Sequence, residues 1–121
     1  MERVPILKLG DLLIVSIQVD LDDQTVLALK EDLAEAVVAR GARGVIIDIS
    51  AVEIVDSFTG RILATIGEMC SVLDAHAVVV GMRPAVAITL VELGLSLGGV
   101  RTALNLEKGV ALLGHVRGAV P

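Results

Sequence analysis

Gly44-Val45-Ile46-Ile47-Asp48-Ile49 is the stretch that decides the fold. A strand with one wet face alternates polar and apolar residues, whereas this run is almost continuously apolar and β-branched, so it reads as a central strand covered on both faces. Such a strand needs helices packed over it, and the flanking segments supply them. Upstream, Val26, Leu29, Leu33 and Val37 recur at helical spacing between Asp22-Asp23, which offer an N-cap, and Gly41, which offers a stop. That pattern predicts a helix over about residues 23–40. Downstream, past a short loop from Ser50 to Val55, the residues Ile62, Ile66, Met69 and Leu73 predict a second helix over about 57–74, with Leu63 and Cys70 widening its apolar stripe.

The rest of the chain extends the same alternation. Val4–Leu9 and Leu12–Ile17 are two β-rich runs joined by Gly10-Asp11, a pair suited to a tight antiparallel turn. His76 to Gly81 predicts another buried strand. Pro84 suits the first turn of a helix that continues to Glu92 and stops at Gly94. Val100–Leu104 then reads as a last strand and Leu106–Val116 as a last helix, although Gly109 is a poor helix former in its middle. A hairpin, a helix and three strand–helix pairs specify an α/β domain: an N-terminal β-hairpin followed by alternating helices and strands in a mixed, largely parallel sheet. One domain over residues 1–121 is expected, with no linker, repeat or low-complexity tract.

Composition narrows the function classes. Apolar residues make up 55% of the 121 and aromatic residues only 1%, so the core is built from Val, Ile, Leu and Ala. No uncharged apolar stretch approaches the roughly 18 residues that span a bilayer, because Asp48, Glu53, Asp56, Arg61, Glu68, Asp74, Arg83 and Glu92 interrupt each candidate. The first residues, Met1-Glu2-Arg3-Val4-Pro5, lack the basic segment and apolar stretch of a signal peptide, and a cytoplasmic location with no membrane partner is expected. The apolar surplus in so small a domain implies that other subunits cover part of its surface. A net charge of -5 with scattered basic residues disfavours nucleic acid, which needs concentrated positive charge.

The inventory for catalysis is thin. His76 and His115 are the only histidines and are isolated, Cys70 sits at helical spacing among core residues, and no metal-ligand spacing occurs, so neither a cofactor nor a metal is expected. Gly94 to Gly99 is glycine-rich, but it follows a helix and precedes a strand, the reverse of a phosphate-cradling loop. It reads as a flexible turn.

The informative segment is Val55-Asp56-Ser57-Phe58-Thr59-Gly60-Arg61. It is no hydrolase elbow, since Val55 and Thr59 stand where the glycines would be required. Asp and Ser are also common N-caps and could simply start the helix. With Gly60 at zero and about 100° per residue, Ile62, Leu63, Ile66, Met69, Cys70 and Leu73 fall between about 180° and 300°, the core arc. Thr59 projects into that arc at about 260°, whereas Ser57 at about 60° lies with Arg61 and Glu68 on the open side. Ser57 is therefore the accessible hydroxyl. Gly60, Ala64, Gly67 and Ser71 form a row of small residues near zero, either letting another backbone or subunit come close or facing solvent, and since it lies away from the core arc Gly67→Leu is expected to spare the fold. Phe58, the one aromatic, is either a core anchor or a partner contact.

The hairpin, the alternating strands and helices, and Asp56-Ser57 opening the second helix together resemble the STAS domain of bacterial anti-anti-sigma factors, over essentially the whole chain. In Asp56-Ser57-Phe58-Thr59-Gly60-Arg61 the pattern departs from the Asp-Ser-Ser-Gly or Asp-Ser-Thr-Gly of the free anti-anti-sigma factors. Phe58 and Arg61 bring it closer to the scaffold members of the stressosome. The resemblance implies a non-catalytic protein whose Ser57 is phosphorylated by a serine/threonine switch kinase. It also implies sensor paralogues carrying STAS domains, homo- and hetero-oligomers and a cognate serine phosphatase. Asp56, Phe58, Thr59, Gly60, Arg61, Ala64, Gly67 and Glu68 then form the switch region around Ser57. A free antagonist of an anti-sigma kinase is the alternative on the same fold, and a small serine-dependent enzyme the alternative outside it.

Overall fold

The computed structural model describes residues 3–18, 22–95, 97 and 100–116. Its elements follow in the order β1 (Ile6–Leu9), β2 (Leu12–Ser16), α1 (Asp23–Arg40), β3 (Gly44–Asp48), α2 (Ser57–Val72), β4 (His76–Val80), α3 (Pro84–Glu92), β5 (Val100–Ala103) and α4 (Leu106–Val116). Helix α1 starts where Asp22 accepts a hydrogen bond from the Thr25 amide at 2.7 Å, and ends at Gly41, whose φ of 60° lies in the left-handed region.

The five strands lie side by side in chain order, β1-β2-β3-β4-β5. The β1–β2 hairpin is antiparallel, and β2, β3, β4 and β5 are mutually parallel. This order settles where the helices go. Each parallel connection steps one strand in the same direction, and crossovers are right-handed, so α1, α2 and α3 all fall on one face of the sheet. Leu13 and Val15 of β2, Val45 and Ile47 of β3, and Ala77 and Val79 of β4 point to that face, where Leu29, Leu33, Ile66, Cys70, Val86 and Leu90 of the helices complete one core cluster. On the opposite face, Leu12, Ile46, Val78 and Val80 pack against Leu113 of α4. Val45, Ile46 and Ile47 are fully buried, because β3 is covered on both sides.

Gly109 has a packing reason. A Cβ there would come within 2.7 Å of a Val80 methyl, so the missing side chain lets α4 settle close onto β4. Helix α4 lies mainly over β3, β4 and β5, with Leu113 reaching Leu12 of β2. The hairpin half of that face is left open, and Leu7 and Leu9, paired with Ile14 and Leu12, remain 64% and 60% exposed. Of the glycine-rich stretch 94–99, positions 96, 98 and 99 lie outside the described residues. Among the described residues, no helix is long and apolar enough to cross a membrane.

Candidate functional site

Ser57 is the first residue of α2, at the carboxyl end of the parallel strands, the edge at which α/β sheets usually present their sites. The local reason is the cap before it. Asp56 has extended backbone and accepts a hydrogen bond from the Thr59 amide at 2.8 Å, which satisfies one of the free donors that open a helix. The bond from the Thr59 amide, foremost, holds the Asp56 carboxyl below the usual carboxylate range against the desolvation that would raise it. Thr59 itself is buried, whereas Ser57 is half-buried and Arg61 and Glu68 are exposed.

The helix turns its core side as the periodicity requires. Leu63, Ile66 and Cys70 are buried, and Ile62, Met69 and Leu73 pack against the cluster that holds Ile66 and Cys70. Burial pushes the Cys70 thiol up to about 11, so it stays protonated and acts as a small core residue. Phe58 is half-buried and belongs to neither hydrophobic cluster.

The row of small residues requires a correction. Gly60 and Gly67 are both buried, Ala64 is half-buried and only Ser71 is exposed. A Cβ on Gly60 would lie 2.7 Å from Leu95 Cδ1 and 3.0 Å from Leu90 Cδ2, so the close neighbour it admits is α3 with its following residue, in the same chain. The helical wheel of α2 misplaced these glycines because a neighbouring helix widens the buried arc beyond the side that faces the sheet. Gly67 is likewise covered, so Gly67→Leu adds bulk at a buried position.

Other candidate groups stay apart. His76 is exposed at the start of β4, and the side chain of His115 lies outside the described residues. Among the described residues no three His, Cys, Asp or Glu side chains gather as a metal site. A cavity of about 20 Å³ beneath the loop, lined by Val52, Val55, Thr59, Leu63 and Val86 among others, has room for about one water molecule. Small-molecule sites are typically more than tenfold larger.

A family model described as the STAS domain matches residues 3–108. The chain belongs to the STAS-domain family. As a STAS domain it is most informatively compared with RsbS of Moorella thermoacetica, solved in a form carrying a serine-to-glutamate substitution: 43% identical, TM-score 0.82, covering 94% of this chain and 97% of that one. A chain of the stressosome, a signal integration and transduction hub, is 42% identical with a TM-score of 0.77 over 93% of this chain and 98% of that one. The RsbT co-antagonist protein RsbRA of Bacillus subtilis is 31% identical over 90 residues, which make up 74% of this chain and 33% of the relative. The chain spans about a third of the length of the curated relatives it matches.

Two residues near the switch segment of this STAS domain escape a reading of the sequence. Ile54 is 72% exposed beside Asp56, while Val52 and Val55 in the same loop are buried. Nothing in the apolar run distinguishes the three until the loop is folded. The other is Arg83, which arrives from the start of α3.

The Asp56 cap carries a pH signature. Its folded pKa is depressed, so its contribution is fully present above the ordinary carboxylate range and is lost as pH falls through the folded value. Acidification is expected to fray the first turn of α2, seen as faster amide exchange at Ser57 to Gly60. In Asp56→Asn, which caps without titrating, this acid dependence is expected to vanish.

Proposed function

We propose that this protein is a non-catalytic, phosphorylation-switched scaffold of a bacterial stress-signalling complex. In its unmodified form it holds a serine/threonine switch kinase, and phosphorylation of Ser57 releases that kinase. The supporting observation is the division of labour at the start of α2. Ser57 is partly exposed at a helix N-terminus, whereas Thr59 is buried beneath the cap, its amide bonded to Asp56. The likeness to RsbS and to a stressosome chain, at 43% and 42% identity over nearly the full chain, supports the scaffold over a free antagonist of an anti-sigma kinase.

The partners follow from that reading: sensor paralogues carrying STAS domains, copies of the chain itself, the kinase, and a serine phosphatase that resets Ser57 in the cytoplasm. The surface supports assembly. Leu7, Leu9, Ile88, Val91 and Leu104 are large apolar side chains, each more than half exposed, on β1, on α3 and just after β5.

Native mass spectrometry of the complex purified from its own cell tests the proposal. A large assembly containing STAS-bearing paralogues, a kinase and a phosphosite at Ser57 is expected, and Ser57→Ala should form the same assembly because the exposed apolar residues are untouched. A small species bound to one anti-sigma kinase would replace the scaffold with a free antagonist. A folded but monomeric Ser57→Ala protein would separate Ser57 from the role given to it.

A further inference from the structure

Helix α3 grips the switch segment on both sides of Ser57. After the serine, Leu90 and the following Leu95 lie against Gly60 in the first turn of α2. Before it, Arg83 donates from Nε to the Ser50 carbonyl at 2.9 Å and places a terminal nitrogen 4.0 Å from the Glu53 carboxylate. Ser50 is held at two further points. Its amide donates to Asp48 Oδ1 at 2.9 Å. Gly81, with φ of 74°, passes so close that a Cβ there would lie 2.8 Å from Ser50 Cβ and 3.0 Å from that same carboxylate oxygen.

Arg83 makes this contact for no reason of its own helix. It occupies the N-cap position of α3 but makes no side-chain cap hydrogen bond, and Pro84 already presets the first turn. Its side chain is about half exposed, at 48%, so burial does not explain the contact either. What the contact achieves is to tie the loop that leads into Asp56 and Ser57 to the next crossover of the sheet. A guanidinium suits the task because its planar array of donors serves the carbonyl and the carboxylate together.

We propose that Arg83 is a positioning residue for Ser57: it locks the β3–α2 loop at Ser50 so that the serine hydroxyl is held in a fixed place for phosphoryl transfer. The proposal rests on the reading of Ser57 as the modified residue. Transfer to a hydroxyl depends on alignment with the incoming phosphoryl group, and a displacement of about 1 Å can cost about 100-fold in rate. The clamp touches Ser50 and Glu53 in the loop and leaves the exposed side of α2, with Arg61 and Glu68, as it is. Loss of Arg83 therefore acts on turnover more than on capture of the kinase.

Two measurements on the full chain test this. Amide hydrogen exchange reads the clamp directly: in Arg83→Ala, residues 50–60 are expected to exchange several-fold faster while β2 and β4 keep their protection, and Arg83→Lys is expected to recover part of it. Phosphorylation by the kinase recovered with the wild-type complex, with ATP, reads the consequence. Arg83→Ala should lower kcat about tenfold, within the range set by misalignment, with KM changed less than twofold, and Arg83→Lys should fall between. Unchanged exchange at 50–60, or faster exchange with wild-type kcat, overturns the role of Arg83 while leaving Ser57 as the switch. A wild-type protein modified at a residue other than Ser57 overturns the switch reading and the role of Arg83 with it.

Discussion

Ser57→Asp is expected to weaken binding of the kinase by roughly 10- to 100-fold, and Ser57→Ala to leave it unchanged. A phosphate on Ser57 brings about -1.5 to -2 charges and three acceptor oxygens at neutral pH. The helix itself accepts such a group, since free amides and the positive end of the dipole meet it there. The change lies in what a partner encounters. Asp56 beside the serine and Arg61 one turn further on are both exposed, so the added charge puts an anion where a surface of mixed charge had offered a neutral hydroxyl. One carboxylate carries less charge than phosphate, so the phosphorylated protein should bind more weakly than Ser57→Asp. Calorimetric titration of the kinase into each form checks the order. Equal affinity of the unmodified, Ser57→Asp and phosphorylated forms would sink the switch, as would a phosphosite confined to Thr59, which the folded protein keeps buried.

Gly60→Leu is expected to destabilise the fold by about 1–3 kcal/mol, the usual cost of forcing bulk into a filled core. Even the first added carbon would meet Leu95 at 2.7 Å and Leu90 at 3.0 Å, and the longer side chain must push α3 away from α2. Gly67→Leu is expected to destabilise for a similar reason, because Gly67 is buried. Reversible urea unfolding of both variants measures this. Any loss of partner binding in them has to be judged against Ala64, half-buried between the two glycines and a milder place to add volume. If Gly60→Leu unfolds at the same urea concentration as the wild type, α3 does not sit where the structure places it.

The elements of this protein were legible in its sequence because each is specified locally. The β-branched run Gly44–Ile49 has no stable home except a covered strand, Asp22 and Asp56 announce helix starts, and Gly41 announces a stop. The core arc of α2 and the burial of Thr59 opposite the accessible Ser57 also follow from a period of about 3.6 residues applied to one helix. Helix α2 was expected to run to residue 74 and closes at Val72, with Leu73 capping it, a difference within the fraying common at helix ends.

What the tertiary structure decided concerns pairs of segments that are distant in the chain. The periodicity of α2 cannot register a neighbour, so Gly60 and Gly67 looked open until α3 and the rest of the fold closed over that side. In the same way, the choice of Ile54 over Val52 and Val55 as the exposed residue depends on how the loop folds over the sheet edge. The clamp on Ser50 depends on Asp48, Gly81 and Arg83 meeting at that edge, which only the β3–β4 register brings about. Local pattern specifies which way a side chain leaves its own element, and the meeting of elements specifies what it finds there.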